Sequence, residues 1–241
     1  MPNPTAAFLV IGDEILSGRT RDANVQVLAL ALAGAGIDLV EVRVIRDDRD
    51  AIVGAVRSLR TTYDQVFTSG GIGPTHDDIT ADSIAAAFDV PIGVRDDARA
   101  LLEERVRERG IPMSEGILRM ARIPDGAVLI GNELSGAPGF SIGNVHVMAG
   151  VPSIFAAMVA VLVPTLPGGT PTVSGSVVVE RGEAFFAAAL AEFAREHPDL
   201  SIGSYPFRND DRFAVEVVVR GHDRARVDEA VARLAVVLHE E

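Results

Sequence analysis

Ala6-Ala7-Phe8-Leu9-Val10-Ile11 is an unbroken apolar run that stops at Gly12. Such runs suit a strand buried on both faces, as in the middle of a parallel sheet. From Asp22 to Ala35 the period changes, and Leu28, Ala31, Leu32 and Ala35 share one helical face. Gly34 and Gly36 end that helix. Val40, Val42 and Val44 alternate with polar residues and predict a second strand. Asp48 can cap a helix running through Leu59. Val66-Phe67-Thr68 predicts a third strand, and a helix is expected from Asp78 to Phe88. Two more helices are expected, over Asp96–Glu108 and Ser114–Met120. Strands resume at Val128-Leu129-Ile130 and Val145–Met148, and a helix follows Val151-Pro152.

Repeated β-α-β-α order implies a parallel sheet covered by helices. Pro164 to Pro171 is rich in helix breakers and is the expected linker. The pattern then changes to a strand (Val173–Val179), a helix (Glu183–Arg195), two strands (Ser201–Tyr205 and Phe213–Val219) and a helix (Asp223–Leu238). Asn209-Asp210-Asp211 is the expected turn between the paired strands. The expected domains are an α/β domain over 1–166 and a small α+β domain over 172–241.

Composition narrows the partners. Hydrophobic residues make up 48% and charged residues 23%, which favours a packed globular chain over a disordered one. The formal charge of −12 argues against nucleic acid or an anionic membrane as a partner. An anionic ligand would need local help from backbone N–H groups, an arginine or a metal. No cysteine is present, which excludes disulfides and thiolate chemistry. The start of the chain lacks a basic n-region, and the apolar stretch from Ile154 to Val163 is too short to span a bilayer. A soluble, cytoplasmic protein is expected.

Ligands of open parallel sheets bind beyond the carboxyl ends of the strands. Four loops fall at such positions: Gly12-Asp13-Glu14, Ser69 to Asp78, Asn132 to Gly139, and Gly150-Val151-Pro152. Each alone reads as an ordinary turn. Together they favour a ligand-binding rim. In the second loop, Gly70, Gly71 and Gly73 let backbone approach a ligand closely. Thr75, Asp77 and Asp78 then turn a tight strand-to-helix connection towards an anion-plus-metal site. Asp78 and Asp82 lie four apart on one helical face, and Asp78 is nearer the loop. Asp47 and Asp48 read first as a helix cap, with a second role in ligand binding left open. There is no G-x-x-x-x-G-K-[ST], no G-x-G-x-x-G after the first strand, and no H-E-x-x-H or G-x-S-x-G. His76 reads as a solvated side chain.

Taken in order, Gly12-Asp13-Glu14-Ile15-Leu16-Ser17-Gly18, Asp22-Ala23-Asn24, Gly70 to Thr80 and Gly136-Ala137-Pro138-Gly139-Phe140 resemble the molybdopterin-binding domain of the competence/damage-inducible protein A (CinA) family. The same domain opens eukaryotic FAD synthase. The resemblance implies a three-layer α/β/α fold with a mostly parallel sheet, like the MoaB and Mog proteins, followed by a small α+β domain. It implies either hydrolysis of the pyrophosphate of ADP-ribose, FAD or a related dinucleotide with a divalent metal (Mg, Mn or Co), or non-catalytic binding of a pterin or nucleotide. By that likeness Gly70, Gly71 and Gly73, with Ser69 and Thr75, hold phosphate. Asp78 acts on the phosphoryl group and, with Asp77, carries metal. Asp13, Asn24 and Asp48 line the site, and Ser135, Gly136 and Gly139 contact the other end of the ligand. A homo-oligomer is also implied. The family usually reads Pro-Gly-Val-Pro-x-Glu where this chain reads Ala149-Gly150-Val151-Pro152-Ser153-Ile154, so an acid is replaced by Ile154. The C-terminal amidohydrolase domain of longer relatives is not expected within these residues.

Overall fold

The computed structural model describes residues 2–209 and 212–240 and divides into two compact units, Met1–Gly169 and Thr170–Glu241. The first unit runs β1 (Thr5–Ile11), α1 (Asp13–Leu16), α2 (Asn24–Ala35), β2 (Asp38–Ile45), α3 (Arg49–Thr62), β3 (Gln65–Ser69) and α4 (Thr80–Phe88). It continues with β4 (Ile92–Val94), α5 (Asp96–Arg109), α6 (Glu115–Arg119), β5 (Arg122–Pro124), β6 (Val128–Ile130), β7 (Gly139–Ile142), β8 (Val145–Met148) and α7 (Pro152–Leu162).

Six strands form one sheet in the order β2-β1-β3-β8-β7-β6. All neighbours pair in parallel from β2 to β8, while β7 is antiparallel to both β8 and β6. The apolar run in β1 is continuous because both of its faces are covered. Ala7, Leu9 and Ile11 join Ile52, Val56 and Ile84 on the face of α3 and α4. Ala6, Phe8 and Val10 join Leu28, Leu32 and Phe155 on the face of α2 and α7. This is the expected three-layer α/β fold with a mostly parallel sheet.

Two features depart from the sequence pattern. The chain after Pro138 turns straight into β7, which forms a tight hairpin with β8 through Gly143 and Asn144. Ile92–Val94 and Arg122–Pro124 form a separate two-stranded antiparallel ribbon. Each of these strands has three or four residues, too few to show a period. Helix α4 begins at Thr80 rather than Asp78, because Asp78 is held in the preceding turn by Thr75.

The second unit contains β9 (Val173–Val179), α8 (Ala187–Glu196), β10 (Ser201–Asn209), β11 (Arg212–Gly221) and α9 (Arg224–Glu240). A short 3-10 turn at Glu183–Phe185 replaces the first turn of the expected helix. The strands make an antiparallel sheet in the order β10-β11-β9. Val177, Val217 and Val219 face Phe193, Val227 and Leu234 of the two helices. Of the turn expected at Asn209-Asp210-Asp211, Asp210 and Asp211 lie outside the described residues.

His146 of β8 is buried, with the Ser141 hydroxyl 2.7 Å from Nδ1 and Gln65 Oε1 2.8 Å from Nε2. Gln65 Oε1 can only accept, so Nε2 carries the proton and Nδ1 accepts from Ser141. Burial pushes the ring's pKa down to about 4. An unfolded histidine protonates near pH 6.5 (roughly the model-peptide value). Between those values the unfolded chain binds more protons, so stability falls as pH is lowered through that window. The shift amounts to roughly 3 kcal/mol. In urea unfolding at stepped pH, His146→Gln should be less stable at pH 7. It should also show a shallower loss between pH 6.5 and 4; an unchanged slope contradicts the assignment.

Candidate functional site

Strands β1, β3, β8 and β6 run in the same direction, so the loops that follow them meet along one edge of the sheet. They enclose a cleft of about 500 Å3. Gly12 and Glu14 enter it after β1, Asp47 after β2, and Gly70 to Pro74 with Asp77 and Asp78 after β3. Ser135 and Ala137 precede β7, and Gly150, Val151 and Ile154 follow β8.

The glycine loop is shaped by its crowding. Gly70 has φ +104°, and a Cβ there would lie 2.1 Å from the Ile11 carbonyl oxygen. Its N–H donates to the Met148 carbonyl at 3.2 Å. Gly71 has φ +67°, with the Thr80 hydroxyl 2.1 Å from where a Cβ would sit. The Thr80 N–H closes the loop on the Gly71 carbonyl at 2.9 Å. Thr80 is fully buried and its hydroxyl has no partner within the protein. At Gly73 a Cβ would come 2.7 Å from Asp78 Oδ2, so the carboxylate lies against bare backbone.

Asp78 is fixed from two sides. Its Oδ2 accepts from the Thr75 N–H at 2.8 Å and from the Thr75 hydroxyl at 2.5 Å. Its backbone carbonyl accepts from Arg119 Nη2 of α6 at 3.0 Å. Thr75 therefore positions Asp78 rather than lining the cleft, and it faces an adjoining hollow with His76 and Arg119. His76 is fully exposed. Beside the Thr75 hydroxyl and its own amide, Asp77 is held below the usual carboxylate range, although the hydroxyl proton itself goes to Asp78.

Among the described residues lining the cleft, four carboxylates (Glu14, Asp47, Asp77 and Asp78) face one cation, Arg109. Burial raises the Asp47 pKa, and the like charges of Glu14, Asp13 and Asp77 raise it further, against the Asp13 N–H bond to Asp47 Oδ2 at 2.9 Å. The Asp47-Asp48 doublet divides its work. Asp48 caps α3 by accepting from the Ala51 N–H at 2.9 Å, while its neighbour lines the cleft. Asp13 sits at the rim, where its carboxylate pairs with Arg46 at 3.3 Å.

Asn24 and Ser69 line a small side pocket of about 60 Å3 with Glu14 and Gly150. Asn24 is buried at the start of α2, and its Nδ2 donates to the Gly150 carbonyl at 2.9 Å. Its Oδ1 has no partner within the protein. Gly136 and Gly139 do not reach the cleft. Gly136 packs on the Arg105 side chain, and Gly139 lies in β7 against the Val147 carbonyl. Of the residues expected at the site, the cleft thus collects Gly70, Gly71, Gly73, Asp77, Asp78 and Ser135. Pattern reasoning put Glu14 in a rim loop and left Asp47 a second role in ligand binding without naming either as a site residue, and it passed over Arg109. The acidic pairs at 13–14 and 47–48 were visible signals for two of them, whereas Arg109 is one more basic residue in the last turn of α5.

Residues 7–168 match the model of a probable molybdopterin binding domain. The chain belongs to this family. Residues 171–241 match the middle domain of FAD synthase. An Archaeoglobus fulgidus protein is 30% identical over 97% of each chain. A probable FAD synthase of Caenorhabditis elegans is 30% identical over 97% of this chain, which spans 50% of that relative's length. The crystal structure of CinA from Thermoplasma acidophilum, described there as of unknown function, superposes with a TM-score of 0.60 at 31% identity, covering 65% of this chain and 94% of that one. The CinA likeness read from the motifs is therefore matched in sequence and structure, and the FAD synthase likeness in sequence. Among the described residues, no helix of this family member is long and apolar enough to cross a membrane.

Two substitutions separate the loop's architecture from its flanks. Gly70→Ala places a Cβ against backbone that cannot move aside, and should cost roughly 2–4 kcal/mol of unfolding free energy. Asp48→Ala removes only the helix cap and should cost about 1 kcal/mol. Denaturant midpoints compare the two; an equal, small loss would show that Gly70 is not under strain.

Proposed function

We propose that the cleft binds a nucleotide pyrophosphate such as ADP-ribose, FAD or a related dinucleotide, and hydrolyses it with the aid of a divalent metal. The observation supporting this most directly is the meeting of a glycine loop with four carboxylates in one cleft. The loop suits a phosphate approached by backbone. Carboxylates alone would repel that phosphate, and the Asp47 pKa is already raised, first by burial and then by like charge. A divalent cation reconciles the two.

The residues present fit such an ion in a particular way. Among the described residues, no three His, Asp or Glu side chains converge as a ligand set. Small hard cations are commonly held by one or two carboxylates together with substrate phosphates and water. Asp78 and Asp77 are the residues that would hold it, and the metal would supply charge neutralisation at the phosphoryl oxygens. Thr75 keeps Asp78 in a single orientation. Arg109 would pair with a phosphate oxygen from the opposite wall. Asp47, raised by burial and like charge, accepts a proton more readily than an ordinary carboxylate, which suits it to take one from the attacking water. Water adds to phosphorus, the bridging P–O bond breaks, and AMP leaves with the second phosphate monoester.

A second reading is a binding module that holds a pterin or nucleotide without chemistry. Ile154 favours it: the wall where the family pattern carries an acid is apolar here.

Release of AMP from ADP-ribose or FAD with Mg2+, Mn2+ or Co2+ distinguishes the readings. Asp78→Asn should lower turnover on the order of 10²–10³-fold, with the denaturant midpoint little changed. Tight binding by calorimetry with no AMP from the wild type under any metal would leave the binding module as the function.

A further inference from the structure

The hollow that adjoins the cleft has a volume of about 790 Å3, and Pro74 lines both. Ile79, Val90, Ile92, Val94 and Leu118 give the hollow an apolar wall. Arg49, Arg119 and Arg122 line it together with Asp82 and Glu115. Arg122 pairs with Asp82. Arg49, the first residue of α3, is exposed and stands in no ion pair among the described residues. Arg119 donates from Nη2 to the Asp78 carbonyl at 3.0 Å, and its buried Nε has no partner within the protein. The hollow thus sets three guanidiniums against two carboxylates, where the cleft sets one against four.

We propose that this hollow is a second ligand site, which takes a phosphate monoester carried on a flat apolar ring, and that Asp78 senses its occupant. A guanidinium matches a phosphate with two parallel N–H bonds and also stacks on a ring face. Sites for small molecules commonly join an apolar wall to a few charged groups in this way. In a chain of net charge −12, a surplus of guanidinium is a local inversion of sign, and it draws anions. On the reading proposed above, the cleft needs an added cation before a phosphate can approach its carboxylates. The hollow carries its own cations and needs none.

The link to the cleft is geometric. Thr75 and Arg119 line the hollow, and they are also the two groups that hold Asp78, one at its carboxylate and one at its backbone. A phosphate drawn to Arg119 competes with the Asp78 carbonyl for the same guanidinium. Occupancy of one site therefore changes the hold on a residue of the other, which is the requirement for coupling between them. This holds whatever chemistry the cleft performs.

Amide 1H–15N spectra of the 241-residue chain, titrated with 1-naphthyl phosphate in EDTA, test the inference. The amides of Val94 and Gly116 in the hollow, and of Thr75 and Asp78 beside it, should shift along one binding curve. Inorganic phosphate and 1-naphthol should each bind more weakly than the ester. Val94 is exposed and stands opposite Arg122 in the two-stranded ribbon. Val94→Glu therefore sets a carboxylate beside that guanidinium and should weaken binding roughly tenfold. Val94→Lys should tighten it, and both variants should keep the wild-type denaturant midpoint. Unshifted hollow amides, shifts confined to Gly12 and Gly150 of the cleft, or an unchanged affinity in Val94→Glu would each overturn the inference. So would phosphate or naphthol binding as tightly as the ester, or Thr75 and Asp78 amides that stay in place while the hollow fills.

Discussion

Gly70 stands where three strand ends converge, and the site depends on the space its missing side chain leaves. The Ile11 carbonyl at the end of β1 occupies the place of its Cβ, and its N–H is bonded to Met148 at the end of β8. A Cβ on Gly150, in the loop after β8, would come 3.2 Å from the Gly70 Cα. The loops after β1, β3 and β8 can therefore close on one another only through bare backbone. Asn24 then fastens the outermost of them by its bond to the Gly150 carbonyl. Within that closed loop Thr75 and Arg119 hold Asp78 in a defined position.

That closure creates an electrostatic problem. Four carboxylates gather around a cleft with one guanidinium in its lining, in a protein that is acidic throughout. Elsewhere acids are neutralised locally: Asp82 by Arg122, Asp97 by Arg95, Asp199 by Arg226. Among the described residues the cleft acids have no arginine partner, although Asp13 pairs with Arg46 at the rim and Asp77 lies 3.9 Å from His76. Burial raises the Asp47 pKa, and the neighbouring like charges add to that rise. Unpaired carboxylates in a partly buried cleft destabilise the folded protein unless ligand or ion compensates them, which is why such clusters tend to mark function rather than architecture.

Much of this was legible in the chain. The continuous run of β1 announced a strand covered on both sides, and the order of elements announced parallel pairing. The order of strands alone implies that the four loops share one sheet edge. What could not be read was of two kinds. Short elements such as β4, β5 and β7 carry no period, since three or four residues cannot show one. Side-chain direction was the other. Asp48 was legible as the cap of α3, but the direction of Asp47 beside it, into the cleft, was not. Likewise Gly136 and Gly139 looked like ligand-contacting glycines but are small because Arg105 and the Val147 carbonyl crowd them. A glycine in a loop signals close approach, and the sequence does not say whether the approaching group is ligand or protein.

Ile154 shows how these constraints interact. It lines the cleft and also packs against the core cluster under α2 and α7. An acid at that position would lose the apolar contact, worth on the order of 1–2 kcal/mol, and would place a fifth carboxylate among four. Its own ionised form would be disfavoured by partial burial and by like charge together. On the proposed reading a bound cation would offset such an acid, whereas an isoleucine needs no such compensation. That leaves the Asp78 loop as the part of the cleft on which the proposed phosphoryl chemistry would rest.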